Sequence, residues 1–234
     1  MLQTTEPPHI NGAHYATAPT PPMSTPGSPF NKTSAITVKS CPTMTIKNNE
    51  HIIIVTGPAG CGKSTVAEGL SKRYDFKYIE GDEFHPPANI AKMAQSIPLT
   101  DADRWDWLIL LRDEALRSLA EGHKGVVVTC SALKKKYRDV IRGASLYSGS
   151  PNANVHFVYL RASKELLLAR VAARQDHYMK ATMVLSQLED LEEPDDDEIN
   201  KIKDVRIIDV TGTVADVLQL AAAAVDEIFA ADST

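Results

Sequence analysis

The chain contains no run of the roughly 18 to 20 apolar residues that a membrane span requires, and its N-terminus lacks the apolar core of a secretory leader. Positive charge is not in excess. With 25 Lys and Arg against 30 Asp and Glu, the formal net charge is -5, so no global basic field exists to hold a nucleic-acid backbone. Cysteine is scarce: Cys41, Cys61 and Cys130 form an odd set without C-x-x-C spacing, which fits neither a disulfide framework nor a cysteine zinc site. Residues 1–50 hold no arginine, which excludes an Arg-rich mitochondrial leader. These absences predict a soluble, cytoplasmic protein in a reducing compartment, with neither nucleic acid nor membrane as partner.

With 234 residues, 43% of them apolar, there is material for one well-buried domain and too little for two ordinary ones. Residues 1–47 hold eight of the fourteen prolines, interspersed with Ser, Thr and Asn, and show no apolar periodicity. They read as a disordered tail, the alternative being a docking segment for a proline-reading domain. From residue 48 onward, short β-branched runs alternate with amphipathic stretches, the pattern of βαβ units and a parallel sheet. Strands are expected at 52–56, 76–80, 126–130, 155–160 and 205–210. Helices are expected at 63–74, 101–121, 133–142, 164–174 and 214–229. Thr100 is placed to cap the second helix, with Asp101 and Asp103 in its first turn.

Gly57-Pro58-Ala59-Gly60-Cys61-Gly62-Lys63-Ser64 satisfies G-x-x-x-x-G-K-[ST] directly after the first strand and at the start of a helix. There the backbone N–H groups can converge on a phosphate, and the helix N-terminus adds positive character. Lys63 is expected to reach the β- and γ-phosphates and Ser64 to ligate Mg²⁺, in a nucleotide-binding set of Gly57, Ala59, Gly60, Cys61, Gly62, Lys63, Ser64 and Thr65. Cys61 reads as a small residue tolerated in the loop rather than a redox switch. The nearest match to the guanine-reading N-K-x-D, Asn200-Lys201-Ile202-Lys203, lacks the acid, which disfavours GTP. The third strand does not end in an acid, so the metal-side carboxylate is sought at Glu80-Gly81-Asp82. There Glu80 can support Mg²⁺, while Asp82 orients or deprotonates an attacking hydroxyl.

Four blocks carry a more specific resemblance. Residues 82–93, from Asp82-Glu83-Phe84-His85-Pro86-Pro87 to Lys92-Met93, resemble the G-D-x-x-H-P-x-x-N-x-x-K-M segment of gluconate kinases. Pro98-Leu99-Thr100-Asp101-Ala102-Asp103-Arg104 resembles their P-L-x-D-x-D-R block, and Cys130-Ser131-Ala132-Leu133-Lys134 with Tyr137-Arg138-Asp139 their C-S-A-L-K-x-x-Y-R-D stretch. A fourth block runs from Ala173-Arg174 through His177 and Ser186-Gln187 to Leu191-Glu192. Glu80, Ala59 and Asp106 depart from the family, where Asp, Ser and Pro are common.

The resemblance implies an α/β P-loop NTPase with an adenylate-kinase-like five-stranded parallel sheet, order 2-3-1-4-5, helices on both faces and a lid near 174–186. It also implies ATP and Mg²⁺ as cofactors, gluconate as substrate, phosphorylation at the 6-hydroxyl, and a homodimer. A linear polyol ending in a carboxylate needs one or two cations and several hydrogen-bonding groups. Arg104, Lys134, Arg138 and Lys92 are the candidate cations. Asp82, His85, Asn89 and Ser131 are further candidate substrate contacts, with His177 and Gln187 from the lid. By similarity to adenylate-kinase-like enzymes, Arg170 would stack on adenine and Arg174 would stabilise the transferring phosphoryl group. The catalytic set is then Lys63, Asp82 and Arg174. The acidic run 192–198 reads as a solvent-facing loop. Rival readings are a shikimate, adenylylsulfate or nucleotide kinase of the same fold, and a non-catalytic ATP-binding protein.

Overall fold

The computed structural model describes residues 50–147, 153–173 and 181–232. The expected tail at 1–47 lies outside them, as do Arg174, His177 and the 174–180 part of the expected lid.

Five parallel strands, β1 (Glu50–Thr56), β2 (Lys77–Ile79), β3 (Gly125–Thr129), β4 (Ala153–Arg161) and β5 (Val205–Asp209), form one sheet in the order β2-β3-β1-β4-β5. The central strand β1 is Glu-His-Ile-Ile-Ile-Val-Thr. Its Ile52 pairs with Val126 of β3 on one side and with Val155 of β4 on the other. A strand with neighbours on both edges and helices on both faces must be apolar throughout, hence the unbroken β-branched run. Side-chain alternation splits that run between two cores. Ile53 and Val55 join Val127, Val158 and Leu160 on one face, while Ile52 and Ile54 join Val126, Val128 and Phe157 on the other. Each of the four β1 side chains is at most 1% exposed, and burying each contributes roughly 1.5–3 kcal/mol.

On the first face lie α1 (Lys63–Tyr74), α6 (Lys164–Ala172) and α8 (Val214–Asp232), which supply Val66 and Leu70, Leu167 and Val171, and Val217 and Val225. The second face is covered by α3 (Asp101–Ala120) and α4 (Lys135–Arg142), through Trp107, Leu108, Leu111, Tyr137 and Ile141. Thr100 caps α3, and Asp103 completes a capping box with it. Helix α2 (Pro87–Ala94) precedes α3, and two helices were not anticipated from the sequence, the short α5 (Ala144–Tyr147) and α7 (Ala181–Asp190). No helix among the described residues is long and apolar enough to cross a membrane.

The acidic run departs from expectation. It is not a wholly solvent-facing loop, because Asp197–Ile202 forms a π-helical turn whose Glu198 is fully buried. Arg138 donates two hydrogen bonds to that carboxylate, Nε to Oε1 and Nη2 to Oε2, each 2.7 Å, and Arg142 also pairs with it. Burial works most strongly against ionisation of Glu198, but the two guanidiniums outweigh it and hold the carboxyl down at about 2.

Candidate functional site

A cleft opens at the C-terminal ends of β1, β2 and β3, the position at which parallel α/β sheets bind ligands. Its floor is the loop between β1 and α1. Gly57 begins that loop at φ 140°, and a Cβ there would lie 2.9 Å from both Cys61 Sγ and the Leu160 carbonyl oxygen, so the turn excludes other residues. The first turn of α1 has no side-chain cap and no acidic residue. Its N–H groups and the positive end of its dipole therefore stay available to an anion. Lys63 curls back over the loop, its Nζ donating to the carbonyls of Gly57 (3.0 Å) and Pro58 (3.1 Å). The Ala59 N–H is taken by Gln187 Oε1 of α7 at 2.7 Å, an acceptor of the kind a phosphate oxygen would be.

Ser64 faces the end of β2, where its hydroxyl donates to Glu80 Oε2 at 2.9 Å. Glu80 also accepts from the hydroxyls of Tyr78 and Thr129. Burial is the largest influence on this carboxyl and would raise its pKa, but bonds from Thr129, Tyr78 and Ser64 prevail and it stays ionised below the usual range. Serine hydroxyl and carboxylate together form an all-oxygen pair beside the phosphate loop, a donor set that suits a hard divalent cation.

Asp82 follows on a 3₁₀ turn, Gly81–Phe84. Both backbone groups of Gly81 are tied, its N–H to Thr129 Oγ1 (2.9 Å) and its carbonyl to Trp107 Nε1 (2.8 Å). A Cβ at Gly81 would lie 2.0 Å from the Thr129 carbonyl oxygen, so only glycine lets the turn come this close to β3. The exposed Asp82 carboxylate thereby lines the same cleft as Lys63 and Ser64.

His85 lies behind it, stacked on Trp107 at 4.1 Å with its Nε2 4.0 Å from Asp82 Oδ1. Asn89 donates to His85 Nδ1 (3.5 Å) and to the Asp103 carbonyl (2.7 Å), which leaves the ring proton on Nε2, toward the cleft. Burial pushes the His85 imidazole down to about 4, Asp82 pulling the other way and Arg104 adding to the depression. The unfolded chain takes up this proton near pH 6.5 and the folded chain only near 4. Between those values the unfolded state binds more protons, so stability falls as the pH drops. In urea unfolding, this group should remove up to about 3 kcal/mol between pH 6.5 and 4, and nothing above that window. His85→Gln should flatten the wild-type curve across the window; two parallel curves would show that His85 is not held neutral.

Of the four candidate cations only Arg104 lines the cleft. It is 6% exposed, donates Nη2 to the Leu99 carbonyl (3.2 Å), stands 3.6 Å from Asp190, and keeps a buried Nε without a hydrogen-bond partner. Lys92 is bound to Asp103 at 2.6 Å. Lys134 bridges Asp190 (2.8 Å) and Asp101 (3.1 Å). The structure contradicts a substrate role for Arg138: it is 2% exposed, committed to Glu198, and lines no part of the cleft. Ser131, Thr65, Gly60 and Gly62 do line it, whereas Asn89 stands one layer back, orienting His85.

A second hollow adjoins the phosphate loop, bounded by Gly60, Cys61, Thr65, Arg170, Val210 and Val217. The Arg170 guanidinium is held there by the carbonyls of Val210 (2.7 Å) and Cys61 (3.4 Å), a fixed plane suited to an aromatic base. Cys61 and Cys130 are buried free thiols whose pKa values burial raises, Cys130 to about 12, so neither is poised for redox chemistry. Sequence reasoning missed Tyr78, Trp107, Leu99, Met93 and Met183. The last three form a small apolar cluster on the cleft wall; Met93 and Leu99 fall within the family-like blocks, but nothing in those blocks marks them as cleft lining.

A family model described as an AAA domain matches residues 53–201. The chain is 48% identical over 162 residues to a probable gluconokinase of Schizosaccharomyces pombe, covering 69% of this chain and 80% of that one. It is 36% identical over 180 residues to the thermoresistant gluconokinase of Escherichia coli K12, covering 75% and 96%. The crystal structure of a gluconokinase from Sinorhizobium meliloti 1021 superposes with a TM-score of 0.64 at 35% identity, covering 76% of this chain and 93% of that one.

Proposed function

Because the chain belongs to the gluconokinase family, we propose that it transfers the γ-phosphate of ATP to the 6-hydroxyl of D-gluconate, giving 6-phospho-D-gluconate and ADP, with residues 48–234 as the catalytic domain. The observation that carries this reading is that Lys63, Ser64, Glu80, Asp82, His85 and Arg104 all border one cleft. A nucleotide site and an acceptor site thus share a wall.

The uncapped first turn of α1 and the loop N–H groups receive the phosphates, with Lys63 exchanging its two carbonyl partners for phosphate oxygens. Arg170 faces the base. Ser64 and Glu80 hold Mg²⁺, which when bound neutralises charge on the phosphate oxygens. Asp82 accepts the proton of the 6-hydroxyl as that oxygen attacks, and phosphoryl transfer otherwise depends on positioning and charge. His85, kept neutral, donates a hydrogen bond to a substrate hydroxyl from Nε2, and Ser131 offers a second polar contact. Arg104 receives the carboxylate, since its unpartnered buried Nε gains most from an anion. Arg174 is assigned to the transferring phosphoryl group on the family resemblance. We assign a homodimer on the same ground.

An ADP-release assay over gluconate, related sugar acids, shikimate, adenylylsulfate and nucleotides tests the assignment. Gluconate should turn over with ATP and Mg²⁺ far faster than any other acceptor. Rapid turnover of shikimate with none of gluconate would overturn it.

A further inference from the structure

At the other end of β1 from the phosphate loop, three side chains meet that the kinase reaction does not use. His51 begins the apolar run of β1, His156 lies on β4, and Asp232 ends α8. His51 and Gly57 are six residues apart along an extended strand, which puts this cluster about 20 Å from the phosphate loop. His156 Nε2 is 2.9 Å from Asp232 Oδ2, and His51 Nδ1 is 3.4 Å from the same oxygen. One ligand atom from each of the three lies within 4.8 Å of the other two. All three side chains are between 11% and 18% exposed, sheltered but still open to an entering ion.

We infer that His51, His156 and Asp232 form a binding site for Zn²⁺ or a similar borderline transition-metal ion, distinct from the Mg²⁺ position at the cleft. The donor set is two imidazole nitrogens and one carboxylate oxygen. Zn²⁺ takes such ligands at about 2.0–2.2 Å, so two ligand atoms on one tetrahedral ion stand about 3.3 Å apart. The two separations to Asp232 Oδ2 bracket that value. His51 Nδ1 is buried and makes no hydrogen bond, although it faces the carboxylate. A shared cation satisfies both groups at that spacing. Outer contacts already orient the ligands: Asn154 Nδ2 donates to Asp232 Oδ2 at 3.0 Å, and the His51 ring packs on Phe229 with centroids 4.5 Å apart. Mg²⁺, which prefers oxygen ligands in an octahedron, is a poor match for two imidazoles. Three protein ligands leave the fourth position to water, and the bound ion ties two strands and the last helix together at the end of the sheet remote from catalysis.

The test uses the full-length chain stripped with a chelator and titrated with Zn²⁺ by calorimetry in excess Mg²⁺. Wild type should bind one equivalent in this site. His156→Gln and Asp232→Asn should each weaken it by about a hundredfold or more while gluconate phosphorylation by the zinc-free variants, assayed with Mg²⁺, stays at the wild-type level. Zinc at about 100 times its Kd should raise the wild-type Tm by about 5 °C or more and leave both variants unmoved. Should either variant fail to fold, the Co²⁺ complex of wild type reads the ligands directly. A tetrahedral d–d spectrum without thiolate charge transfer supports the site, and thiolate bands overturn it. Absence of zinc uptake by wild type, or uptake unchanged in both variants, also overturns the inference.

Discussion

Asp82→Asn should lower turnover of gluconate by about a hundredfold or more while ATP affinity stays close to wild type, a loss of about 2.7 kcal/mol in transition-state stabilisation. Asparagine matches aspartate in size and can keep hydrogen bonds to its neighbours, but it cannot take a proton from an alcohol. The backbone that aims the side chain is untouched, because the Gly81 N–H and carbonyl remain tied to Thr129 and Trp107. The loss should therefore fall on kcat and not on the fold. Nucleotide titration and steady-state rates on the same preparation separate the two effects. Wild-type turnover in the variant would remove Asp82 from the role of base.

The second large effect is on stability. Glu198→Gln leaves the Arg138 guanidinium buried against a neutral amide, and breaking such a pair from one side costs about 3–5 kcal/mol. For a domain of this size the melting temperature should fall by about 6–20 °C. The Glu198 side chain lies outside the cleft, so KM for gluconate in the folded enzyme should stay within about twofold of wild type. A tenfold rise in KM with unchanged stability would return Arg138 to the substrate site. Replacing both partners with apolar residues of similar volume should recover part of the loss, because the cost comes from the orphaned charge.

That arginine also shows where reading the sequence stops. The phosphate loop was legible because its chemistry is written in contiguous residues: glycines where only glycine fits, then Lys63 and Ser64 at the mouth of a helix. The strands were likewise legible as compact β-branched or aromatic runs between amphipathic helices, whereas their order, 2-3-1-4-5 as observed, was expected from the family resemblance alone. Arg138, by contrast, finds its partner sixty positions downstream, in a run of acids that looks uniformly wet. Nothing local separates Glu198 from Asp195, Asp196 and Asp197, and only folding picks the one that turns inward. The partners of Lys92 and Lys134 were invisible for the same reason, as their nearest anions, Asp103 and Asp190, lie on other helices. Arg104 became the strongest cation only once its Nε was seen buried without a partner. Helix α7 went unread although Ser186 and Gln187 were noticed, because its apolar residues divide between two places, Met183 on the cleft wall and Val184 and Leu188 in the core of the first face.

The central strand carries a further implication. Where a sheet has one wet side, sliding a strand by a single position turns its greasy residues outward, and that penalty locks the alignment. In β1, Ile52, Ile53, Ile54 and Val55 would trade one apolar environment for another, so hydrophobicity alone is nearly blind to such a slip. Alignment must instead be enforced at the C-terminal end of the run. One anchor is the Thr56 hydroxyl, which donates to the Ser131 carbonyl at 2.7 Å; the other is Gly57, which alone can make the turn that follows. The residues that begin the nucleotide loop are thus also the pins that tell the middle of the sheet where to stop.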